Sequence, residues 1–520
     1  MIGREIAVVE SWEDLRILSE VSGFTVETFA MRQRFETSPG LQVLPIEKIR
    51  LPLHSRDELP PLLAGLQWIW THPTLHEEIF ALLEARVMAN KKATGRPGMD
   101  LWQILVLGVT RLGLDADWDR MEDMANHQTL LRQMLGVAAT PWGEEDTTFH
   151  HQTLRDNVAL VDDERLREIN ARGAAAGREV FAKKAGAPVA ALEIKVDSYV
   201  LETDVHFPTD LNLLWDAGRK GVDGVENFRD KLGYDLPGWR KAKDWRRRLK
   251  ALERISSKTV YGGGAHKEKR VRQAVGEYLE AGRQLSDKIG ASLLSLCDQG
   301  ALESPWEGRA YFHGMRDKHV DLVERRLIKE EKIPAAEKVF SLFEPHTEWI
   351  QKGKQRPNVE LGHRLLVATD QNGLVQDYDV PVGGVDVDQS VPVADRLLGR
   401  YGVGSVASLS FDKGFTRAED RELLSLYVPT VVMPKRGKKN AEEAERESER
   451  KFVALRRAHS AVESDINALE HHGLNRCLDA GLEGYRRYVG YGVLAFNLHV
   501  IGRRLLELNR ARLEPRRAAA

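Results

Sequence analysis

The sequence predicts an α/β fold in which a mixed sheet is flanked by helices. After Pro188 the apolar residues alternate through ALEIKVDSYVLETDVHFP, which is typical of a strand that extends into a hairpin. GHRLLVATDQNGLVQDYDVPVGG predicts two further strands joined at an Asn-Gly turn. Towards the end of the chain, VASLSFD and YVPTVVMP read as strands that alternate with helices.

The segment before these strands is predicted to be helical. Gly95, Pro97 and Gly98 break the chain, and Asp100 is a suitable N-cap for a helix over Leu101–Leu112. Shorter helices follow at 117–126 and 128–135, and a long one at 148–184. Three short helices with tight turns suit a DNA-binding unit, and they suit any other small helical bundle equally well.

The later predicted helices and strands follow the order of a known fold. A helical stretch is predicted from residue 210 to about 354, and further helices at 389–401, 417–426, 441–472 and 488–512. Without the long helical stretch, the order is three strands followed by three helices that alternate with two strands. This is the ribonuclease H-like arrangement, here with an N-terminal all-helical region and a large helical insertion between the first and second strands.

These elements divide the chain into five predicted parts. The division is an N-terminal region of unassigned role (1–93), a helical DNA-binding region (94–187), a ribonuclease H-like catalytic domain (188–209 and 356–480), a helical insertion (210–355), and a C-terminal helix with a basic tail (481–520).

Composition excludes several classes of protein. The chain has 520 residues, of which 42% are hydrophobic and 30% charged, so it is not a wholly disordered chain. No apolar run approaches the roughly 20 residues that span a bilayer, and the acidic N-terminus lacks the apolar segment of a secretory signal. Only two cysteines occur, which fits a reducing cytosol and excludes a cysteine-rich zinc module. We therefore expect a cytoplasmic protein without a membrane partner.

Charge is unevenly distributed, although the net charge is only −2. Trp239–Lys250 holds seven cations and one acid, Lys435–Arg457 holds nine cations and five acids, and Arg503–Arg517 holds six cations and two acids. Each run is compatible with a solvated helix face, but three of them together favour a polyanionic partner such as DNA. The candidate DNA-binding residues are Arg240, Lys241, Arg246, Arg247, Arg248, Lys435, Arg436, Arg456, Arg457 and His459.

Three carboxylates stand out against the predicted elements. Asp197 lies inside the apolar strand IKVDSYV, where aspartate is depleted and costly to bury without a partner. An exposed edge-strand aspartate is the alternative interpretation, and Asp204 is a competing candidate nearby. Asp412 ends the strand SLSFD, at the carboxyl end where sheet proteins place ligands, although Asp-x-Gly is also ordinary turn chemistry.

The third carboxylate lies on the helix within HSAVESDINALEHHGL. Helical spacing places Glu463 on a polar stripe with Arg456, His459 and Glu470, at the border of a core stripe formed by Val462, Ile466, Leu469 and Leu474. Asp465 is expected to face solvent. A surface helix with a coincidental polar stripe is the alternative.

Asp197, Asp412 and Glu463 together suggest a metal site. Carboxylates from a strand, a neighbouring strand end and a later helix can converge to hold two Mg²⁺ ions, which prefer oxygen ligands. Two such ions can activate an attacking oxygen and stabilise a leaving one in phosphoryl transfer.

The chain also resembles bacterial insertion-sequence transposases of the DDE class (ISNCY-like and related DDE-domain enzymes). VDSYVLETDVHFPTD resembles their first-aspartate block, SLSFDKGF their second, and RRAHSAVESDINALEHHGLNRC their glutamate block. YVGYGVLAFNLHVIGRRL and GRPGMDLWQILVLGV are similar to helices found after and before these blocks. The resemblance covers roughly residues 94–208 and 360–505.

The resemblance implies a function. Asp197, Asp412 and Glu463 would be both the catalytic residues and the ligands of Mg²⁺, with Mn²⁺ as the alternative ion. The enzyme would cleave the ends of an insertion sequence and join the 3′-OH to target DNA. Its partners would be the terminal inverted repeats, target DNA and a second copy of the chain, with the protein on the nucleoid when bound.

Some residues depart from the family pattern. Glu470 stands where many such enzymes have a lysine that contacts phosphate, and Lys451, Arg456 or Arg457 would have to substitute. The helical insertion would cover the site or grip DNA, with Trp239 and Trp245 as candidates. The alternatives are a metal-dependent nuclease of the same fold, a catalytically silent DNA-binding derivative, and a helical scaffold protein.

Overall fold

The computed structural model describes seven ranges of the chain. In these ranges, helices surround an open mixed sheet of seven strands, so the predicted α/β class is confirmed. No helix among them is long and apolar enough to cross a membrane. Gly95, Pro97 and residues 514–517 of the basic tail lie outside the described residues. The described ranges are 33–35, 43–88, 98–139, 147–182, 189–300, 306–351 and 358–513.

Helices come before the sheet. They are α1 (Leu59–Thr71), α2 (Leu75–Val87), α3 (Leu101–Gly113), α4 (Trp118–His127), α5 (Thr129–Met134), α6 (His151–Val158) and α7 (Asp163–Gly177). The predicted long helix over 148–184 is wrong, because the chain divides there into α6 and α7. The side chain of Asp162 accepts a hydrogen bond from the Arg165 N–H, and this N-cap begins a new helix.

A sheet with β1 at its centre follows. Its strands are β1 (Leu192–Thr203), β2 (Glu348–Gln351), β3 (Val359–Thr369), β4 (Val375–Asp379), β5 (Val406–Phe411), β6 (Val431–Val432) and β7 (Arg476–Cys477). The order is β2-β3-β1-β5-β6, with β4 also paired to β3 and β7 to β1. Strand β3 is antiparallel to β1, whereas β5 is parallel to it. The carboxyl ends of β1 and β5 therefore point the same way.

Two predicted features of the strands differ from the structure. No hairpin follows β1, because Thr209 caps a helix through a reciprocal pair of hydrogen bonds with Asn212. The Asn-Gly hairpin between β3 and β4 is present, but its loop has three residues, closed by a hydrogen bond from the Asp370 N–H to the Leu374 carbonyl. Gly373 adopts φ +79° there, which only glycine adopts easily.

Four helices form the segment between β1 and β2. They are α8 (Asp210–Asp230), α9 (Ala242–Tyr261), α10 (Lys267–Asp298) and α11 (Trp306–Leu327). They share a core of their own that includes Trp239, Tyr278 and Leu285. The prediction of helix as far as residue 354 is wrong at its end, because β2 lies at 348–351 and pairs with β3.

The remaining helices pack on the sheet or beside it. They are α12 (Ser390–Tyr401), α13 (Ala418–Ser425), α14 (Ala441–Ser448), α15 (Arg450–His459), α16 (Ala461–Leu469) and α17 (Gly481–Leu513). The predicted single helix over 441–472 is wrong, because Glu449 has non-helical backbone angles and separates α14 from α15. At Gly473 the backbone reaches φ +86°, and this ends the kinked turn Glu470–Leu474 that follows α16.

Helix α17 joins the N-terminal helices to the sheet. It packs against α1, α3 and α7, and its residues from 484 to 502 are almost all buried. Tyr485 donates a hydrogen bond to the Leu201 carbonyl at 2.7 Å, and Asn497 accepts one from the Val375 N–H at 2.8 Å. These bonds fix α17 to β1 and β4.

Two glycines let α1 and α17 approach at the backbone. A Cβ on Gly65 would lie 2.3 Å from the Leu498 carbonyl oxygen, and one on Gly502 would lie 1.8 Å from the Pro61 carbonyl oxygen. No side chain fits at either distance. The contact therefore requires glycine on both helices.

We predict that Gly502→Ala lowers the free energy of unfolding by at least about 2 kcal/mol, because the methyl group forces the two backbones apart. Gly399→Ala in α12 is the matched control, since no atom lies within 4 Å of its added Cβ. The control should gain about 0.5–1 kcal/mol from helix propensity. Urea denaturation measures both, and an equal response of the two variants would contradict the packing.

Candidate active site

Asp197 lies in the middle of the central strand. It is opposite Val367 on β3, and the adjacent Val196 is opposite Phe411 on β5. Side chains alternate along a strand, so Asp197 is on the face that also bears Lys195 and the buried Tyr199. Asp197 is half-buried, and its Oδ1 accepts a hydrogen bond from the Ser198 N–H at 2.7 Å. The position is central in the sheet, which excludes the exposed-edge interpretation.

Asp412 comes one residue beyond the end of β5. Since Phe411 is level with Val196, the parallel register brings Asp412 beside Asp197. Asp412 is exposed, and the next residues form a single helical turn closed by a hydrogen bond from the Phe415 N–H to the Asp412 carbonyl. Phe415 is 1% exposed, so its burial holds this turn against the sheet.

Glu463 is in the first turn of α16. The neighbouring Val462 and the later Leu469 are completely buried in the main core, and they fix the helix on the sheet. Glu463 itself is exposed. It lies at the border of core and solvent, as the helical spacing predicts.

The three predicted carboxylates lie in one part of the structure, but their oxygen atoms are not all within 4.8 Å of one another. Burial raises the pKa of Asp197 to about 7, against a lowering effect of the Ser198 N–H, and the charges of Asp412, Asp386 and Glu463 raise it further. The strand register places Asp412 beside Asp197, and Asp386 contacts Ser198, whose side chain is on the other face of β1. The candidate site is thus an open group of four acids, one more than the sequence predicted.

Asp386 is the acid that the sequence analysis missed. It accepts a hydrogen bond from the Ser198 hydroxyl at 2.7 Å, and the Arg364 guanidinium lies 3.6 Å away. A Cβ added to Gly414 would lie 3.4 Å from its Oδ2, which puts Asp386 against the turn after Asp412. In GGVDVDQS it looks like an ordinary acid before a helix, and no local signal distinguishes it.

A polar row across three strands supports the cluster from one side. Lys195 is opposite Thr369 on β3 and Ser410 on β5, so the three side chains share one face of the sheet. Thr369 donates a hydrogen bond to Asp465 at 2.7 Å, and the Lys195 ammonium lies 3.6 Å from the same carboxylate oxygen.

The prediction that Asp465 faces solvent is wrong. Its side chain is 17% exposed and contacts the sheet. It is three residues after Val462 and four before Leu469, so helical geometry places it within about 60° of the core stripe. Lys195 and Thr369 supply the partners that allow a carboxylate to be there.

His459, at the end of α15, completes the surroundings. Its Nδ1 lies 3.0 Å from the Ser410 hydroxyl. Burial lowers the pKa of His459 and the charge of Lys195 adds to this, whereas Asp412 and Glu463 act in the opposite direction. His459 is thus half-buried between the polar row and the acids.

Two competing acids lie elsewhere. Asp204 is beyond the end of β1 and exposed, with its carboxylate 3.5 Å from Arg476. Glu470 begins the kinked turn and lines a cleft of about 480 Å³ together with Glu202, Glu360 and Arg476. Neither acid is among the groups with the largest effects on the pKa of Asp197.

The predicted DNA-binding cations fall into two groups. Arg246 pairs with Asp223 at 2.6 Å and Glu226 at 2.5 Å, and Lys435 pairs with Glu443 at 2.7 Å, so their charges are neutralised within the chain. Arg456 has a weaker contact, 3.7 Å from Glu447. Seven of the candidates are exposed: Arg240, Lys241, Arg247, Arg248, Arg436, Arg456 and Arg457.

The two tryptophans of the insertion have structural environments. Trp239 is 1% exposed, and its indole N–H donates to the Ser292 hydroxyl at 2.7 Å. The prediction that it grips DNA is therefore wrong, because apolar burial decides its position. Trp245 is half-buried against the same core, and the Arg248 guanidinium lies 5.4 Å from its ring centre.

No protein family, curated protein or solved structure matches this chain. What the cluster does must therefore be argued from its own residues.

We predict that Asp197→Asn stabilises the protein at high pH when divalent ions are absent. The raised pKa means that the folded protein holds a proton at Asp197 between about pH 4 and pH 7, where the unfolded chain has released it. This group's contribution to stability falls as the pH rises through that window.

The gain of the variant should be at least about 1 kcal/mol at pH 8 and small at pH 4, as measured by urea denaturation at both pH values. Asp204→Asn, at an exposed position, is the control and should show no such pH dependence. An equal gain for Asp197→Asn at both pH values would contradict the assigned electrostatics.

Proposed function

We propose that the protein is a DNA transposase of an insertion sequence, which cleaves the element ends and joins the 3′-OH to target DNA. The observation that carries the proposal is that the strand register places Asp412 beside Asp197 at the end of β5, with Glu463 and Asp386 near enough to raise the pKa of Asp197. Two-metal phosphodiester cleavage needs several oxygen ligands close together, because they hold the cations that neutralise the negatively charged phosphate.

The strand order supports the proposal. Three antiparallel strands in the order β4-β3-β1 continue into the parallel strands β5 and β6. This order, with an acid on the central strand and another after β5, is what a ribonuclease H-like catalytic domain requires. The helix with Glu463 then supplies the last acid from above the sheet.

The donor set fits Mg²⁺. Its members are carboxylates, whose oxygen atoms Mg²⁺ prefers, and the pKa of Asp197 is raised by burial and, beyond that, by the charges of the other acids. A dication among them would remove that repulsion. When bound there, divalent ions would activate the attacking oxygen and stabilise the leaving oxygen, and Asp197, Asp412 and Glu463 would hold them.

The remaining residues of the site have positioning roles. Lys195 and Thr369 hold Asp465, and this fixes α16 on the sheet close to Glu463. Ser410 contacts His459 at the end of α15, directly before that helix. Ser198 and Arg364 hold Asp386. These contacts keep the acids in place before substrate arrives, which lowers the reorganisation needed for reaction.

DNA is the proposed partner. The exposed Arg247 and Arg248 on α9, with Arg456 and Arg457 on α15, are suitable contacts for phosphates. Pairing of two element ends requires two active sites, so a dimer or higher oligomer on DNA is part of the proposal. The protein would act in the cytoplasm, on the nucleoid.

We predict that Asp412→Asn and Glu463→Gln each reduce Mg²⁺-dependent cleavage of DNA bearing the element ends by at least about a thousandfold, because each change removes a charged ligand. Binding of the same DNA should be retained. Asp204→Asn is the matched control and should keep wild-type activity, since Asp204 lies outside the cluster.

Cleavage at the wild-type rate in both variants would contradict the proposal. Joining of the freed 3′ end to a second DNA, followed on a sequencing gel, distinguishes a transposase from a nuclease of the same fold. Binding without cleavage by the wild type would instead indicate a catalytically silent derivative.

A second prediction concerns DNA affinity. The double variant Arg247→Ala, Arg248→Ala should bind DNA more weakly, and its log–log salt slope should fall in magnitude by up to about 1.8, the value for two lost phosphate contacts. Arg246→Ala should leave the slope unchanged, because Asp223 and Glu226 already neutralise Arg246. Fluorescence anisotropy at several salt concentrations measures both, and equal slopes in the wild type and double variant would contradict the assigned surface.

A further inference from the structure

A second group of possible metal ligands lies where α1, the kinked turn after α16 and α17 meet. Glu58 directly precedes α1, His472 is in the kinked turn, and His499 is on α17. One ligand atom from each lies within 4.8 Å of the other two. Among the described residues, no other group of three or more His, Cys, Asp or Glu has its ligand atoms this close together, and the four-acid cluster is more open.

The tautomer of His472 suits a metal ligand. Its Nδ1 lies 3.0 Å from the Gly113 carbonyl oxygen, which can only accept a hydrogen bond. The ring proton must therefore be on Nδ1, and this leaves the lone pair on Nε2. Histidines that bind metals are commonly held by a backbone carbonyl in this way.

His499 provides a buried nitrogen without a hydrogen bond. Its side chain is 2% exposed, and its Nε2 lies 2.6 Å from the Glu58 carboxylate at an angle that does not form a hydrogen bond. A buried polar atom without a hydrogen bond costs stability. After a small rotation that separates the two atoms, a cation bound by both would replace this poorly aligned contact.

The surroundings allow an ion to enter. Glu58 and His472 line a cleft of about 650 Å³ that also includes His471 and Asp123. One cation is already near: the Arg503 guanidinium lies 3.1 Å from the same Glu58 oxygen. Arg503 is 54% exposed, so it can turn towards solvent when another cation binds.

We propose that Glu58, His472 and His499 form a binding site for Zn²⁺ that clamps the N-terminal helices to the end of the helix bearing Glu463. Two imidazoles and one carboxylate are a common zinc set, with a fourth position left for water. Tetrahedral zinc with bonds of about 2.0–2.1 Å needs ligand atoms about 3.3 Å apart, so small side-chain rotations complete the set. The site is separate from the four-acid cluster and does not depend on its function.

The test is a Zn²⁺ titration of the full-length chain, after treatment with a chelator and desalting, against a competing chromophoric chelator. The wild type should bind one equivalent. Glu58→Gln and His472→Ala should lower the affinity at least about tenfold. Arg503→Gln should raise it, because a competing positive charge is removed from Glu58.

Two controls separate this site from others. His150→Ala removes an exposed histidine outside the group and should leave binding unchanged. Asp197→Asn should still bind one equivalent of Zn²⁺. A failure of the proposed transposase activity and a failure of the zinc site are therefore distinguishable. Circular dichroism verifies that each variant is folded, and Glu58→Gln, at a half-exposed position, tests the site even where a histidine variant does not fold.

The proposal is overturned by either of two results. One is a wild-type protein that takes up no equivalent of Zn²⁺. The other is an affinity that stays the same in Glu58→Gln and His472→Ala, which would assign the bound zinc to other residues.

Discussion

The cost of holding a half-buried carboxylate beside other acids is the constraint on which the site depends. Asp197 is in the central strand, and its pKa is raised first by burial and then by the charges of Asp412, Asp386 and Glu463. The carboxylates would separate if each were on a flexible loop. Here the ladders from β1 to β3 and β5 fix the register of Asp197 and Asp412. Buried side chains of α16 fix Glu463. The fold thus holds charges together that a bound cation would stabilise.

The helices determine how firmly that arrangement is held. Helix α17 hydrogen-bonds to β1 and β4 on one side and meets α1 through glycine contacts on the other. The kinked turn after α16 is held by Tyr488, which donates to the Gly473 carbonyl at 3.0 Å, and by His472 on Gly113. The helix that bears Glu463 is therefore tied to the N-terminal helices as well as to the sheet. A zinc ion at Glu58, His472 and His499 would strengthen the same connection.

Local sequence patterns made some of the site residues predictable. The costly aspartate in an apolar strand, the acid at a strand end and the glycine after a helix each carry a local physical signal, so Asp197, Asp412 and Gly473 could be predicted. Asp386 could not, because it is positioned by a contact with Ser198, which is distant in sequence. The partners of Asp465 come from two strands distant in sequence, and no local pattern indicates them. The prediction that Trp239 contacts DNA was wrong for a related reason. A run of basic residues does not indicate which of its residues is buried in the core.

The most direct measurement of the central claim is the anomalous scattering of Mn²⁺ in crystals soaked at neutral pH, for the wild type and for Asp412→Asn. A metal site built by the four acids predicts strong peaks between Asp197, Asp412 and Glu463 in the wild type, and weaker or missing peaks in the variant. Mn²⁺ takes the same oxygen ligands as Mg²⁺, so its position reports on the proposed ion. Wild-type crystals with no peak at the cluster, or equal peaks in the two proteins, would contradict the account.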